Sequence, residues 1–491
     1  MRAVALVILG AGPAGLAAAI EASGQGVDVL LLDENPGPGG QVHRAVGALE
    51  TERAAGASGM HRAVGASATG DAVGAWPKAG VAGGFHQPSR NAPGAALAAE
   101  GLALIRRVVA SGAECRFGAG LWAIQEDGVV SWSEGGRAHQ VRAGHLLLCP
   151  GATERAMPIP GWTLPGVMGV GAAQILMKTA GLLPAGPHIW LAGQGPLLWL
   201  YAAQLLHRGV RPAGILDLSP GVSVRALRHV PMALRAPGYL AQGLVWMWRI
   251  RRAGVPVIRA RQVAALGESR LSGLRFDGQE VPAEVLLLHD GVVPNTQLTR
   301  ALPGCAHVWD VGQACFLPVL DTWGQTSLPG VMVAGDGAGI GGARAAALSG
   351  RIAALEAARR LGCLTIEQRD AVAGPLLHAR AAELAPRALL EALFPPLAAA
   401  RVADGTVVCR CEEVTAGRIR AAVELGAQGP NQLKAFVRAG MGACQGRVCG
   451  PAVHAVMAEA KGVAPGGLAP MRTRFPTKPV TVGEMAGMFQ T

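Results

Sequence analysis

Long apolar runs, aromatic side chains and regularly paired cysteines are all scarce in this sequence of 491 residues. No uninterrupted apolar run reaches about 18 residues, the length that spans a bilayer, so we predict no transmembrane helix. Aromatic residues make up only 4% of the chain, and the net charge of +11 comes without a lysine-rich tail, which argues against nucleic-acid binding. The nine cysteines are an odd number spread along a large chain, and this argues against a disulfide framework.

The N-terminal residues and the positive charge bear on location and partners. Met1 and Arg2 lead directly into the first apolar strand, without a secretory signal, so we expect a cytoplasmic protein. An acidic partner protein or an anionic membrane surface would explain the charge. We favour a generally solvated basic surface, because the basic residues are scattered along the chain.

A glycine-rich turn follows the first apolar run, residues 5–9, and Asp33 ends the second run. Strand, glycine turn, helix, strand and acid in this order are typical of a dinucleotide-binding βαβ unit. Gly10 permits the tight turn, Gly12 lets backbone N–H groups approach a pyrophosphate, and Gly15 lets the helix pack on the strand. Asp33 would accept a hydrogen bond from a ribose hydroxyl, and the N–H groups at the start of the helix would bind the phosphates. Glu34, beside Asp33, is the less favoured candidate for the ribose contact.

The segment after this unit is unusual. The hexapeptide His-Arg-Ala-Val-Gly-Ala occurs twice, at 43–48 and 61–66, in a stretch rich in Gly and Ala that includes an insert from 47 to 84. We interpret this stretch as a loop rather than as a lid over the cofactor.

A second, altered nucleotide-binding pattern lies in the middle of the chain. Gly193 and Gly195 follow an apolar strand, and the next strand ends at Asp217. Leu198 stands where the third glycine is expected and should push the helix away from the strand. We predict a Rossmann-like domain in which the two glycines and Asp217 are candidate contacts for a second nucleotide, NAD(P) or ATP; functional NAD(P)H binding is the less favoured interpretation.

Residues 240–250 contain Trp246 and Trp248 and run into a cluster of three arginines that ends at Arg252. One interpretation is an anchor on a membrane surface. We favour a buried helix whose basic last turn suits the helix dipole.

Two further buried strands lead into glycine-containing turns. One leads to Gly151, and the other ends in Gly335 and Asp336, before an alanine-rich helix that begins near Gly342. A Gly-Asp pair at a strand end places a carboxylate and free backbone N–H groups beside one ligand.

Four of the nine cysteines, Cys409, Cys411, Cys444 and Cys449, form a C-x-C and a C-x₄-C pair. Four thiolates can hold either zinc or a [2Fe–2S] cluster. Zinc sites more often use C-x₂-C pairs, and the glycines around the second pair would let backbone N–H groups turn toward sulfur. We favour the cluster over zinc, and an electron relay over a purely structural cluster.

These motifs together resemble one family over nearly the whole chain. Residues 409–414 and 438–449 resemble the bacterioferritin-associated-ferredoxin-like [2Fe–2S] domain, and the remainder resembles the two-domain fold of pyridine nucleotide-disulfide oxidoreductases. Residues 151–168 and 334–344 carry the likeness to the larger FAD and iron–sulfur subunits of bacterial heteromeric dehydrogenases. That family includes the A subunit of opine oxidase, the alpha subunits of proline and hydroxyproline dehydrogenases, and the B subunit of hydrogen cyanide synthase.

The resemblance implies bound FAD, a [2Fe–2S] cluster on the four C-terminal cysteines, and a smaller FAD-bearing partner of the glycine/D-amino-acid oxidase type that oxidises the amine. The candidate FAD-binding residues are Gly10, Gly12, Pro13, Ala14, Gly15, Asp33, Glu34, Gly40, Gln41, Gly151, Gly335, Asp336 and Gly342. No C-x₂-C or C-x₄-C follows Gly40, which sets disulfide-reductase chemistry aside. The catalytic residues stay unassigned, since no acid–base pair for amine oxidation stands out and His145, His188 and His289 are interpreted as structural.

We therefore predict an α/β protein with two interleaved Rossmann-like domains and a small helical C-terminal [2Fe–2S] domain. The expected parts are FAD-binding segments 1–158 and 291–361, a second Rossmann-like domain 159–290, a helical linker 362–404, a cluster domain 405–462 and a tail 463–491. The expected function is electron transfer within a heteromeric dehydrogenase acting on an amino acid or secondary amine of the proline, hydroxyproline, opine or glycine type. The alternatives are a self-sufficient NAD(P)H-dependent FAD/iron–sulfur reductase and a regulatory or assembly protein with structural zinc.

Overall fold

The computed structural model describes residues 1–44, 95–397 and 402–488. Apart from His43 and Arg44, both copies of the hexapeptide lie outside these residues, as does the whole insert from 47 to 84. The strands are β1 Ala3–Leu9, β2 Val29–Asp33, β3 Glu114–Phe117, β4 Gly120–Ile124, β5 Val129–Glu134, β6 Arg137–Leu148, β7 Ala152–Glu154, β8 Val167–Gly169, β9 Ile189–Gln194, β10 Gly214–Asp217, β11 Val257–Arg259, β12 Val263–Leu266, β13 Gly273–Phe276, β14 Gln279–Pro282, β15 Val285–Asp290, β16 Val292–Pro294, β17 His307–Asp310, β18 Cys315–Pro318, β19 Val331–Val333, β20 Val407–Cys409 and β21 Val414–Thr415. The helices are α1 Pro13–Gly24, α2 Ala95–Ala110, α3 Val170–Ala180, α4 Pro196–His207, α5 Val224–Leu227, α6 Val230–Ala233, α7 Pro237–Arg252, α8 Gln297–Ala301, α9 Ala343–Arg360, α10 Ile366–Leu384, α11 Arg387–Leu393, α12 Ala416–Glu424, α13 Pro430–Val437, α14 Gly450–Ala460 and α15 Val482–Gly487.

The first sheet is built on the apolar runs at the start of the chain. Its order is β3-β2-β1-β6-β5-β4, and β19 pairs with β6. β1 pairs in parallel with β2 and β6, whereas β4, β5 and β6 form an antiparallel meander. All five residues of β2 are buried, as in the centre of a parallel sheet. Helices α1, α2 and α9 cover one face, where Leu16, Ile105 and Ala353 join one apolar core.

The second sheet is parallel, in the order β11-β10-β9-β15-β8. A separate three-stranded antiparallel sheet, β12-β13-β14, follows β11 in the chain. The chain enters this region through β7 and leaves it through β16, and these two strands pair with each other. The two Rossmann-like sheets are therefore interleaved, and the predicted fold class is confirmed.

Helix α7, predicted as a buried helix, has a large solvent-exposed side. Ile250 is its one fully buried residue, while Trp248 is 57% exposed and Leu244 is 62% exposed. The predicted basic last turn is present. The prediction of burial is wrong because it rested on apolar composition, which does not reveal whether an outer face has a partner.

The C-terminal part folds as a small domain and then returns to the first sheet. Helices α12–α14 and the β20–β21 pair share an apolar core that includes Ile419, Leu433 and Val453. Beyond it, Phe475 packs against the first sheet, and the N–H of Thr477 donates to a backbone carbonyl of that sheet's β4. Within the described ranges we find no helix with the length and apolar character needed to cross a bilayer.

Candidate functional site

The first glycine turn leaves no space for side chains. Gly10 has φ +105°, and a Cβ there would lie 2.3 Å from the carbonyl oxygen of Cys149. A Cβ on Gly15 would lie 1.8 Å from the carbonyl oxygen of Gly10. Pro13 begins α1, and Gly12 caps it without a side-chain hydrogen bond, so the N–H groups of the first helical turn face the end of the sheet.

Asp33 is tied to this turn, whereas Glu34 is not. One carboxylate oxygen of Asp33 accepts a hydrogen bond from the N–H of Ala11 at 2.5 Å, and the other accepts two from Asn35 at 2.7 Å. Asp33 is only 6% exposed. Glu34 points to the returning C-terminal segment, where it pairs with Lys478. Of the two candidate ribose ligands, Asp33 is the one that contacts the turn.

The next candidates, Gly40 and Gln41, pack against the same turn and against the second domain. Gly40 has φ +57°, and a Cβ there would lie 2.7 Å from the Cα of Gly12. The ammonium group of Lys178, on α3, donates to the carbonyl of Gln41 at 3.3 Å. Burial lowers the pKa of Lys178 to about 8. Sequence reasoning missed Lys178, because a single lysine on an apolar helix has no distinguishing pattern.

The second glycine turn, Gly335–Gly342, meets the first one. A Cβ on Gly335 would lie 2.7 Å from the Cβ of Ala14. The carboxylate of Asp336 accepts hydrogen bonds from Gly341 and Gly342 at 2.9 and 3.0 Å and so folds the start of α9. Gly151 is adjacent, because its carbonyl oxygen would lie 3.7 Å from a Cβ on Gly337. The structure thus brings the predicted candidates from three separate segments to one edge of the first sheet.

The candidates for a second nucleotide lie apart from this group, at the carboxyl edge of the second sheet. Gly193 is closely packed, since a Cβ there would lie 1.8 Å from the carbonyl oxygen of His289. Asp217 accepts a hydrogen bond from the N–H of Ser219 at 3.0 Å. Leu198, in the third-glycine position, is fully buried in the core beneath α4.

A segment of the linker already lies at that edge. The amide of Gln194, within the glycine turn, donates to Asp290 at 3.0 Å and also to the carbonyl of Pro395. The N–H of Leu397 donates to both carboxylate oxygens of Asp290, at 3.0 and 3.2 Å. Ligands of parallel sheets bind at the carboxyl ends of the strands. Residues 395–397 therefore occupy part of the space that a nucleotide would need.

His289 is buried and pairs with a carboxylate. Its ring is 2% exposed and its Nδ1 lies 2.7 Å from a carboxylate oxygen of Glu154. Glu154 also accepts the N–H of Gly171 at 3.0 Å. These bonds join β7, where the chain crosses between domains, to β15 and α3.

The four C-terminal cysteines lie on two adjacent segments of the small domain: Cys409 ends β20 and Cys411 follows it, while Cys444 and Cys449 lie in the loop before α14. Cys409 and Cys449 are buried, Cys411 is exposed, and the sulfur atoms of Cys411 and Cys444 are 3.8 Å apart. The N–H of Gly440 points at the sulfur of Cys409 at 3.5 Å. Among the described residues, no group of three His, Cys, Asp or Glu side chains is arranged as a single metal ion would require.

The environment of these thiols favours thiolates at two positions. Hydrogen bonds from the Cys449 thiol lower the pKa of Cys409 and of Cys444, and the same bonds raise the pKa of Cys449. Thiolate sulfur is the form that binds iron. A C-x-C and a C-x₄-C pair with backbone N–H groups turned toward sulfur fit a [2Fe–2S] cluster.

A β-hairpin joins the cysteine loops to the glycine turns. The ring of Trp309, on β17, stacks on that of His454, on α14, with centroids 5.2 Å apart and planes at 19°. Phe316, on β18, meets the same imidazole edge-on at 5.4 Å. The side-chain oxygen of Gln313, between these strands, accepts the N–H of Ile340 in the second glycine turn at 2.9 Å. A small cleft of about 70 Å³ opens beside these rings.

Comparisons with known proteins agree with this arrangement. Residues 4–362 match the family model described as pyridine nucleotide-disulphide oxidoreductase, and residues 407–459 match the BFD-like [2Fe-2S] binding domain. The A subunit of opine oxidase from Rhizobium meliloti is 40% identical over 499 residues, which cover 99% of this chain and 88% of that protein. Hydrogen cyanide synthase subunit HcnB of Pseudomonas aeruginosa is 33% identical over 470 residues, or 90% of each chain.

Among solved structures, L-proline dehydrogenase from P. horikoshii has a similar fold. The TM-score is 0.66 at 16% identity, over 98% of this chain and 79% of that one. The predicted resemblance is confirmed: this chain belongs to the pyridine nucleotide-disulphide oxidoreductase family, among the members that carry a BFD-like [2Fe-2S] domain and are related to the A subunit of opine oxidase.

Proposed function

We propose that this chain is the FAD- and [2Fe–2S]-containing electron-transfer subunit of a cytoplasmic heteromeric dehydrogenase that oxidises an amino acid or secondary amine. Relatives named as subunits of an opine oxidase and of a hydrogen cyanide synthase support an enzyme of several subunits. The partner is a smaller FAD-bearing subunit of the glycine/D-amino-acid oxidase type. Proline, hydroxyproline, an opine or glycine are the candidate substrates.

The observation that carries this proposal is the hairpin β17–β18, which contacts both candidate sites. Gln313 bonds to the turn that begins at Gly335, and the ring of Trp309 stacks on His454. His454 lies five residues after Cys449, the N-cap of the same helix, a rise of about 7.5 Å. One short rigid element therefore holds the flavin side and the cysteine side in fixed relation, as electron transfer between two bound groups requires.

Each candidate residue has a role in holding the cofactors. Gly12 and the first turn of α1 would present N–H groups to the pyrophosphate of FAD, and Asp33 would accept a ribose hydroxyl. The turn Gly335–Gly342 would lie against the same cofactor, and the four cysteines would bind the cluster. Bound flavin supplies the conversion between two-electron and one-electron transfer, and the protein sets its position.

The division of chemistry between the two proteins follows from this assignment. On the partner, the C–H bond beside the amine nitrogen would give a hydride to that subunit's flavin, the nitrogen would lose a proton, and water would hydrolyse the resulting imine. The two electrons would then pass through this chain to an acceptor, one at a time at the cluster. The residues described above hold cofactors, and none of them needs to act on the amine.

Co-expression with a candidate partner tests the proposal. We expect the purified complex to contain FAD, iron and acid-labile sulfide in this chain and to reduce an artificial dye with one of the candidate amines. This chain alone should keep its cofactors but fail to oxidise any of them. Amine oxidation by the isolated chain, or zinc without iron and sulfide, would contradict the proposal.

An NAD(P)H-dependent reductase is the second candidate function. It needs nucleotide access to the turn at Gly193 and Gly195. The hydrogen bonds of Gln194 and Asp290 to residues 395–397 do not favour such access.

A further inference from the structure

A short segment of the C-terminal tail, residues 470–474, lies against the loop that carries the second cysteine pair. Met471 is 5% exposed, and its sulfur atom lies 2.6 Å from the position of a Cβ on Gly440. The same sulfur atom is just as close to the position of a Cβ on Gly446. Gly440 in turn directs its N–H at the sulfur of Cys409. The segment therefore packs directly behind the backbone that surrounds the cysteines.

Two cations are anchored on this segment from different parts of the chain. Arg300, on α8 of the FAD-binding part, donates from its guanidinium to the carbonyl of Met471 at 3.2 Å. Lys434, on α13 of the small domain, donates from its ammonium to the carbonyl of Arg472 at 3.1 Å. Among the residues that the structure describes, neither cation pairs with a carboxylate. Main-chain oxygens hold both groups, and these oxygens carry no net charge.

The two positive charges act on each other and on the cysteines. Burial lowers the pKa of Arg300 to about 10, so the guanidinium stays charged at neutral pH. Burial and repulsion by Arg474 and Arg300 lower the pKa of Lys434, whereas negative charge on Cys449 raises it. Cations in a partly buried site are costly to hold together unless an anion compensates them. Here the cysteine thiolates are the anions within electrostatic reach.

The exposed part of the cysteine site has its own charge balance. Cys411 is exposed, and Glu412 beside it accepts a hydrogen bond from the guanidinium of Arg438 at 2.9 Å. That pair is neutral overall and partly screened by water. The uncompensated positive charge therefore lies on the buried side of the site, where screening is weaker.

We propose that Arg300, together with Lys434, raises the reduction potential of the [2Fe–2S] cluster, so that a residue of the FAD-binding part tunes the electron acceptor in the small domain. The inference rests on the proposed function, in which the four cysteines bind that cluster. When one electron leaves the reduced flavin, one iron goes from Fe(III) to Fe(II), and the negative charge of the cluster grows by one. A fixed cation nearby stabilises the reduced form more than the oxidised form.

A redox titration of the full-length, cofactor-loaded chain, followed by electron paramagnetic resonance of the reduced cluster, tests this inference. Arg300→Gln removes the charge and keeps a donor for the carbonyl of Met471. We expect the equilibrium constant for one-electron reduction of the cluster to fall by roughly tenfold, which corresponds to a potential lower by about 59 mV. Arg300→Lys keeps the charge and should stay near the parent value. Lys434→Gln should lower the potential in the same direction as Arg300→Gln.

Arg380→Gln is the matched control, since it removes one positive charge from a guanidinium that also donates to a main-chain carbonyl, that of Thr322, outside the small domain. Its potential should equal that of the parent, and iron and acid-labile sulfide should be unchanged in all variants. An unchanged potential in Arg300→Gln with a full cluster would overturn the inference. So would equal lowering by Arg300→Gln and Arg300→Lys, because packing rather than charge would then be responsible.

Two further outcomes keep the test decisive. Should Arg300→Gln lose its iron, the potential of Lys434→Gln decides between the same two results. A parent chain that holds no iron and sulfide would contradict the proposed function itself, which distinguishes that failure from a failure of this inference alone.

Discussion

Gly442 packs directly on Cys411. A Cβ atom on Gly442 would lie 2.3 Å from the Cβ of Cys411 and 3.2 Å from its sulfur atom. The two cysteine pairs, which are separated by thirty-two residues in sequence, therefore meet without space for a methyl group. This close packing of the two loops brings Cys411 near Cys444. Their sulfur atoms are 3.8 Å apart.

Gly442→Ala should therefore lose the cluster while the rest of the protein folds. The added methyl forces the loops apart, and four thiolates can no longer surround one cluster. We expect most of the iron and acid-labile sulfide to be lost, with FAD retained. Gly450→Ala is the control, because no atom lies within 4 Å of a Cβ there. Full iron content in Gly442→Ala would contradict the assignment of these loops.

Trp309→Leu should slow electron transfer from flavin to cluster without removing either group. Leucine keeps the apolar contact with Phe316 but loses the stacking on His454, so α14 is held less firmly against the hairpin. Anaerobic stopped-flow absorbance after substrate reduction of the complex measures the rate. We expect a decrease of roughly tenfold, since transfer falls steeply with misplacement. An unchanged rate, with unchanged cofactor content, would show that the hairpin contact is not needed.

Asp33→Asn should weaken FAD retention, whereas Glu34→Gln should not. The Asp33 carboxylate accepts a charge-assisted hydrogen bond from Ala11, and such bonds contribute about 1.5 to 3 kcal/mol. The proposed bond from the ribose hydroxyl to this carboxylate is of the same kind, and a neutral amide loses much of it, so we expect FAD affinity to fall by roughly ten- to a hundredfold. Glu34 is 55% exposed and pairs with Lys478 rather than with the turn. FAD loss confined to Glu34→Gln would reverse the assignment of the ribose contact.

The elements that hold FAD could be predicted because their signals are local. The first strand was predicted at residues 5–9 and extends over Ala3–Leu9. Asp33 ends β2 as expected, since buried parallel strands are continuous apolar runs that stop at a polar residue. The C-x-C and C-x₄-C pairs are equally local.

Contacts between distant segments could not be predicted in this way. Neither Trp309 nor His454 belongs to a motif, and their stacking depends on how two domains dock. Lys478 reaches Glu34 from the far end of the chain for the same reason. The same limit explains α7, since its apolar residues predicted burial and the actual docking of the helix leaves Trp248 in solvent.

Glu356→Gln should destabilise the packing of α9 on α10. Burial by itself raises the pKa of the Glu356 carboxyl, but hydrogen bonds from Arg359, Arg360 and Arg369 outweigh it and lower the pKa to about 2. A carboxyl with a lowered pKa stabilises the fold above its unfolded value of 4.5 and loses that effect as pH falls toward 2. We expect the unfolding free energy to drop by about 3 kcal/mol at pH 7.

Urea unfolding of parent and variant at several pH values measures this effect. The difference between them should be greatest at neutral pH and should shrink below pH of about 4.5. Glu280→Gln is the control, since its ion pair with Arg275 is more than half exposed and should contribute less than about 1 kcal/mol. A difference that is constant with pH would mean that the charge of Glu356 is not what stabilises the two helices.

NADH should not bleach the flavin absorbance of the anaerobic protein fast enough to support turnover. Residues 395–397 bond to Gln194 and Asp290 at the carboxyl edge of the second sheet, so a nicotinamide nucleotide would have to break these bonds to bind. Dithionite serves as the positive control for flavin reduction. Asp290→Ala removes the acceptor of the Leu397 N–H and so frees the segment; any slow NADH reduction should become faster in this variant. Rapid bleaching of the parent by NADH would instead support the reductase, since electrons would then enter this chain without a partner.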